Sequence, residues 1–158
     1  MKYTTEIQID LPRDEVIRKL DNPENMKHWL RGLADYEMIS GTPGYEGAKM
    51  KMEFQQGKRK TTIVETITKR EMPTAFHAVY DTKGVHNIQQ NFFHDIDGKS
   101  TKWVSESEFQ FAGFGLKLMG WLMPGAFKKQ SLKHLQDFKD FAEKGISVTG
   151  EVIADEEE

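Results

Sequence analysis

The sequence predicts an antiparallel α+β domain: a strand and two short helices, then six strands joined by tight turns, then one long helix. Three observations carry this. Residues 2–11 alternate polar and apolar, the stretch from Ala34 to Phe111 breaks into strand-like segments at short turn signals, and about 20 residues ending at Gly145 follow a period of 3.6. Turns this short join antiparallel neighbours, because a parallel pair needs a crossover of roughly a dozen residues or more.

The first strand sets Tyr3, Thr5, Ile7, Ile9 and Leu11 against Lys2, Thr4, Glu6, Gln8 and Asp10, and Pro12 stops it. Residues 13–20 gather Val16, Ile17 and Leu20 on one helical side. Asn22-Pro23 opens a second short helix as cap and first residue, carrying Met26, Trp29 and Leu30 and ending near Gly32. Ala34–Ser40 reads as the second strand, left through the loop Gly41 to Gly47. Ala48, Met50, Met52 and Phe54 then alternate with Lys49, Lys51, Glu53 and Gln55. Gln56-Gly57 turns into a strand over 58–71, Pro73 leads into 74–81, Lys83-Gly84 into 85–96, and Asp97-Gly98 into 100–111.

Two of these strands bear on function. On the last, Trp103, Ser105, Ser107 and Phe109 share a face. On 85–96, Ile88, Gln90 and Phe92 oppose Asn87, Gln89 and Phe93 in equal mixtures, so its facing stays open. A dry core asks for one apolar face, whereas a wet or ligand-filled cavity tolerates Asn and Gln. At 100° per residue the long helix places Phe127, Ser131, His134, Leu135, Phe138, Phe141 and Ala142 within about 120° of arc, with lysines and acids opposite.

The composition removes several classes. With no cysteine, disulfide scaffolds, thiolate metal sites and thiol catalysis are excluded. The net charge of −3 is local: five of the 25 acids lie in the last eight residues, so residues 1–150 carry 20 acids against 22 bases. That balance gives no reason to expect a nucleic-acid partner. No apolar run approaches the roughly 18–20 residues that span a bilayer, and residues 1–10 lack a signal-peptide core, so a cytoplasmic setting is expected.

Metal and phosphate motifs are missing. His28, His77, His86, His94 and His134 form no ligating pair, and His86 and His94 lie about 26 Å apart along one strand. Asp95, Asp97 and Glu106 mimic part of a calcium loop, but Lys99 and Ser100 stand where an acceptor and a glycine are needed. Neither Gly41 to Lys49 nor Gly113 to Gly120 completes a phosphate loop, and Lys58-Arg59-Lys60 reads as a solvated turn. No metal and no cofactor are therefore expected.

The opening Ile7-Gln8-Ile9-Asp10-Leu11-Pro12-Arg13-Asp14-Glu15-Val16, the stretch Asp21-Asn22-Pro23-Glu24-Asn25 with Trp29, and the closing Leu135-Gln136-Asp137-Phe138-Lys139 resemble one family. It is the START-related, birch-pollen-allergen-like helix-grip superfamily, which also holds polyketide cyclases and aromatases. The resemblance covers residues 1–145 as one domain, with 146–158 as a flexible acidic tail. It implies a seven-stranded curved antiparallel sheet gripping the C-terminal helix, with a hydrophobic cavity between them.

On that frame the expected function is binding or transport of an apolar small molecule or lipid. The candidate cavity residues are Trp29, Met50, Met52, Phe54, Trp103, Ser105, Ser107, Phe127, Ser131, His134, Leu135 and Phe138. The segment 113–125 is apolar on every side with Lys117 its only charge. It reads either as a flap bringing Trp121 and Met123 to a ligand or membrane surface, or as a packed helix or homodimer contact. Two alternatives stand beside the carrier: a cyclase- or aromatase-like enzyme moving a proton through His134 or a carboxylate such as Glu106, and a protein-interaction module using 113–125. No catalytic set is named by the sequence.

Overall fold

The computed structural model describes residues 1–151 and 153. Seven strands, β1 (Lys2–Ile9), β2 (Leu33–Ser40), β3 (Lys49–Gln56), β4 (Arg59–Glu71), β5 (Ala75–Thr82), β6 (Val85–Ile96) and β7 (Ser100–Phe111), form one antiparallel sheet in the order β1-β7-β6-β5-β4-β3-β2. Strands β2 to β7 are thus a continuous meander, and β1 closes it by pairing with β7. Helices α1 (Arg13–Leu20) and α2 (Met26–Trp29), with a 3-10 turn at Pro23–Asn25, fill the β1–β2 connection. Helices α3 (Phe114–Leu122) and α4 (Pro124–Lys144) complete the helix-grip fold, with α4 held in the curve of the sheet.

Local chemistry accounts for the boundaries. Asn22 accepts a hydrogen bond from the Glu24 N–H at 3.1 Å, capping the 3-10 turn that Pro23 starts. Asp97 and Gly98 both take positive φ (52° and 67°), and the Lys99 N–H closes the turn on the Ile96 carbonyl. That is the twist-matched hairpin turn. Gly145, at φ 65°, ends α4, with its own N–H on the Phe141 carbonyl and the Ile146 N–H on the Asp140 carbonyl.

Register settles the facing that the sequence left open. Asn87, Gln89, Asn91 and Phe93 of β6 stand opposite Phe109, Ser107, Ser105 and Trp103 of β7. Trp103 packs on Phe138 of α4 with ring centroids 5.4 Å apart, so these residues line the inner face. Ile88, Gln90 and Phe92 take the outer one.

The dry core lies where α1, α2 and the second half of α4 converge on β1, β6 and β7. It contains Ile9, Val16, Trp29, Phe93, Trp103, Leu135, Phe138, Phe141 and Ala142. Phe138 has no exposed surface and meets Trp29, Trp103 and Phe141 edge-on at 5.2, 5.4 and 6.3 Å. The chain stays attached beyond Gly145: Ser147 is buried with its Oγ 3.0 Å from His28 Nδ1, and the Val148 N–H donates to the His28 carbonyl. The expected tail over 146–158 therefore begins in docked chain. Residues 152 and 154–158 lie outside the described residues.

Candidate functional site

Between the inner face of the sheet and the helices lies a cavity of about 630 Å³. Its walls are mostly apolar: Leu20, Met26, Trp29, Leu30, Met50, Met52, Phe54, Ile63, Ile67, Phe76, Trp103 and Phe109. Period-two alternation delivers them, since Met50, Met52 and Phe54 share one face of β3 while Ile63 and Ile67 share one face of β4. Tyr36, Met38, Pro43, Asp21, Pro23 and Glu24 also border the cavity and are all exposed, which puts its mouth between β2, the β2–β3 loop and the 3-10 turn. Arg70 fastens that rim, donating to both Asp21 carboxylate oxygens (2.9 and 2.6 Å) and to the Gly44 carbonyl (2.8 Å). A smaller cavity of about 350 Å³, lined by Arg31, Gln56, Arg59, Thr61, Gln130 and Asp137, shares Phe54, Ile63 and His134 with the first. Those three side chains are the partition between an apolar chamber and a polar one.

A polar row crosses the apolar floor. Met50, Glu65, Tyr80, Asn87 and Phe109 are successive cross-strand partners on β3 to β7. All five border the cavity. Burial pushes the Glu65 carboxyl above the usual carboxylate range, only partly offset by its hydrogen bond with Tyr80. Burial also raises the Tyr80 phenol well above its ordinary value, and the neighbouring Glu65 adds to the effect. Both retain some accessible surface, yet that surface faces the cavity and not bulk water. One strand row further along, Gln89 donates to Asn87 Oδ1 at 2.8 Å, and the Trp103 indole N–H donates to Asn91 Oδ1 at 2.9 Å.

The indole N–H of Trp29 is different. It is buried and has no hydrogen-bond partner among the described residues, while its ring borders the cavity and meets His134 edge-on at 5.2 Å. An orphaned donor of this kind normally costs about 1–3 kcal/mol. His134 itself is held neutral, because burial lowers its imidazole to about 4 against the opposing pull of Asp137. Asp137 is occupied elsewhere, accepting from Nε and Nη2 of Arg31 (3.2 and 3.1 Å) and from Lys133 (3.0 Å). Among the described residues no group of three or more His, Asp or Glu side chains could share an ion.

Of the residues singled out from sequence, Trp29, Met50, Met52, Phe54, Trp103 and His134 meet at the cavity. The others serve different ends. Ser105 and Ser107 are buried on the inner face but do not border the cavity, and Ser131 and Phe127 fasten α4 to β1. There the Tyr3 hydroxyl lies 2.6 Å from Ser131 Oγ and donates to the Phe127 carbonyl at 3.2 Å. The Phe127 ring packs on Phe109 and Phe111 at 5.1 and 5.6 Å. Leu135 and Phe138 belong to the dry core. Trp121 and Met123 are exposed and do not border the cavity, because α3 rests on the β5–β6 turn and the end of β7.

Glu65, Tyr80 and the rim at Arg70 escaped the sequence reading, which left the facing of Asn87 open. The signal was present: Ile63, Glu65 and Ile67 share one strand face, which puts a carboxyl in an inward row. Glu106, the carboxylate considered from sequence, is exposed and pairs across strands with Gln90 and Thr4 on the outer face.

No curated protein sequence matches the chain. Solved structures share its fold: a conserved protein from Geobacillus kaustophilus (16% identity, TM-score 0.76, covering 92% of this chain and 97% of that one), and the ZhuI aromatase/cyclase from Streptomyces sp. R1128 (13%, 0.74, 96% and 99%). Norcoclaurine synthase from Thalictrum flavum is a third (13%, 0.67, 91% and 94%). At these identities the likeness is one of fold. A family model described as polyketide cyclase / dehydrase and lipid transport matches residues 1–142, so the chain belongs to that family, within the helix-grip superfamily.

Proposed function

We propose that the protein binds a mainly apolar small molecule or lipid, carrying one or two hydrogen-bonding groups, in the cavity between sheet and C-terminal helix. The observation that carries this reading is an apolar chamber of about 630 Å³ crossed by one polar row, Glu65–Tyr80–Asn87. Each 100 Å² of apolar ligand surface buried there contributes about 2.5 kcal/mol, and the polar row fixes orientation. Native mass spectrometry of gently purified protein tests it: a co-purifying apolar adduct is expected, and Ala78→Trp, which fills the inner face beside the polar row, should expel it. Protein that is repeatedly empty and takes up no apolar dye overturns the reading.

One observation favours a second reading, a cyclase-like enzyme. Glu65 is a buried carboxyl with a raised pKa beside a phenol, an environment that favours the protonated acid. In that reading Glu65 donates a proton to a bound carbonyl or hydroxyl oxygen, and neutral His134 accepts one across the chamber. Glu65→Gln and His134→Ala then abolish turnover while ligand affinity stays within about threefold, whereas loss of both together returns the pair to a binding role.

A further inference from the structure

The three most exposed large apolar side chains among the described residues lie on α3, and Met123 follows at the corner after it. Phe114 is 80% exposed, Trp121 76%, Leu122 62% and Met123 54%. Helix α3 touches the body along one narrow line: the Leu116 side chain lies over Gly84, and Gly120 lies against the Phe111 ring, where a Cβ would come within 2.6 Å. At 100° per residue Phe114, Leu118, Trp121 and Leu122 fall within about 100° of arc on the opposite side, with Lys117 at the edge. Both contacts lie on the side of the helix opposite Phe114, Trp121 and Leu122, so that apolar face points away from the body.

The chain that builds this face carries charge of one sign. Between Glu108 and Asp137 the chain has four lysines and no acid. Lys133 is paired with Asp137, but Lys117, Lys128 and Lys129 are exposed and have no ion-pair partner among the described residues. A second copy meeting this face by two-fold symmetry would bring lysines against lysines. An anionic lipid surface satisfies both halves of the pattern, taking the aromatic and aliphatic side chains below the headgroups and the ammonium groups among the phosphates.

We propose that α3 and the first turns of α4 are a membrane-docking surface for anionic lipid, seated through Phe114, Leu118, Trp121 and Leu122 and held by Lys117, Lys128 and Lys129. The docking does not depend on what the cavity holds.

Vesicle flotation of the full chain tests it, with phosphatidylcholine alone or mixed with phosphatidylserine. Each unpaired lysine near the surface strengthens partitioning about fivefold, so the protein should float with the mixed vesicles, be released by salt, and stay in solution with the neutral ones. Trp121→Ser combined with Leu122→Ser should weaken flotation about a hundredfold. Lys117→Glu, Lys128→Glu and Lys129→Glu together should lose at least as much. All five sites are exposed, so unchanged circular dichroism and melting temperature separate this loss from misfolding. No flotation with anionic vesicles, equal flotation with both compositions, or undiminished flotation of the double serine variant overturns the proposal. A concentration-dependent dimer in sedimentation, dissolved by Trp121→Ser and with no vesicle binding, assigns the face to a second copy instead.

Discussion

From Leu135 onward α4 runs through the driest part of the molecule, with Phe138, Phe141 and Ala142 wedged among Trp29, Trp103 and Val16. The half before it, from Pro124 to His134, is fastened mainly through Phe127 and Ser131 and borders the cavity only at His134. One continuous helix thus joins two regions with different work. The first supplies stability by close packing. The second leaves the sheet's inner face uncovered over β3 to β6, and there the polar row and the cavity lie. A sheet gripping a helix cannot be closely packed at both ends and still hold a chamber, so stability and binding space are divided along the helix axis.

Equal deletions in the two regions should therefore have unequal effects. Phe138→Ala removes a ring in contact on every side and should cost about 3–5 kcal/mol, read as the shift in chemical-denaturation midpoint. Phe76→Ala, on the cavity wall, removes a ring that already lacks neighbours on one side, and about 1–2 kcal/mol is expected. Equal costs would mean that the chamber collapses onto its wall residues and that the division is not energetic.

Acid should sharpen the comparison, because His134 stands on the boundary. Its folded-state value of about 4 lies below the ordinary 6.5, so the unfolded chain binds the extra proton between those values. Its contribution is constant above about pH 7, falls as pH drops from 6.5 to about 4, and levels below that; the loss amounts to at most roughly 3 kcal/mol. His134→Gln should remove this slope from a stability profile over pH 4–7. Glu65 runs the other way. Its folded pKa is raised, so the stability it favours is present at low pH and lost as pH rises through the folded value. Glu65→Gln should then raise the melting temperature at pH 8 and leave it nearly unchanged at pH 4. A stability loss at pH 8 would mean that the ionised carboxylate is held by partners the row does not supply.

How much of this was readable beforehand follows the same division. Every strand came within about two residues of its observed limits, and the Asp97-Gly98 turn and Gly145 cap were plain, because alternation and positive-φ turns are local properties. The dry half of the site region was legible through Phe138 and Trp103, whose burial any apolar pattern implies. The floor was not. The mixed faces of the strand carrying Asn87 and Gln89 suit a wet cavity but leave the facing open, because register depends on pairing with β5 and β7, which no single strand encodes. Glu65 was hidden for the same reason, as one acid in a Thr- and Val-rich strand. At α3 the lack of a polar face announced an unusual surface, but its contacts at Gly84 and Phe111 decide that the apolar face turns outward, away from the cavity mouth.

The smallest expected effect tests the outer margin of the comparison. Trp121 is the largest side chain on α3 and the third tryptophan of the chain, yet it contacts neither the dry core nor the cavity wall. Deleting its ring should change stability by no more than about 0.5 kcal/mol, the range of exposed positions without buried partners. Trp121→Ser should also leave uptake of an apolar dye unchanged, while Trp29→Phe, which reshapes the chamber wall, should alter it. If Trp121→Ser instead destabilises by the amount expected of Phe76→Ala, then α3 closes over part of the chamber in solution. In that case the boundary between packed and open regions lies beyond Pro124, and α3 belongs to the binding half of the molecule.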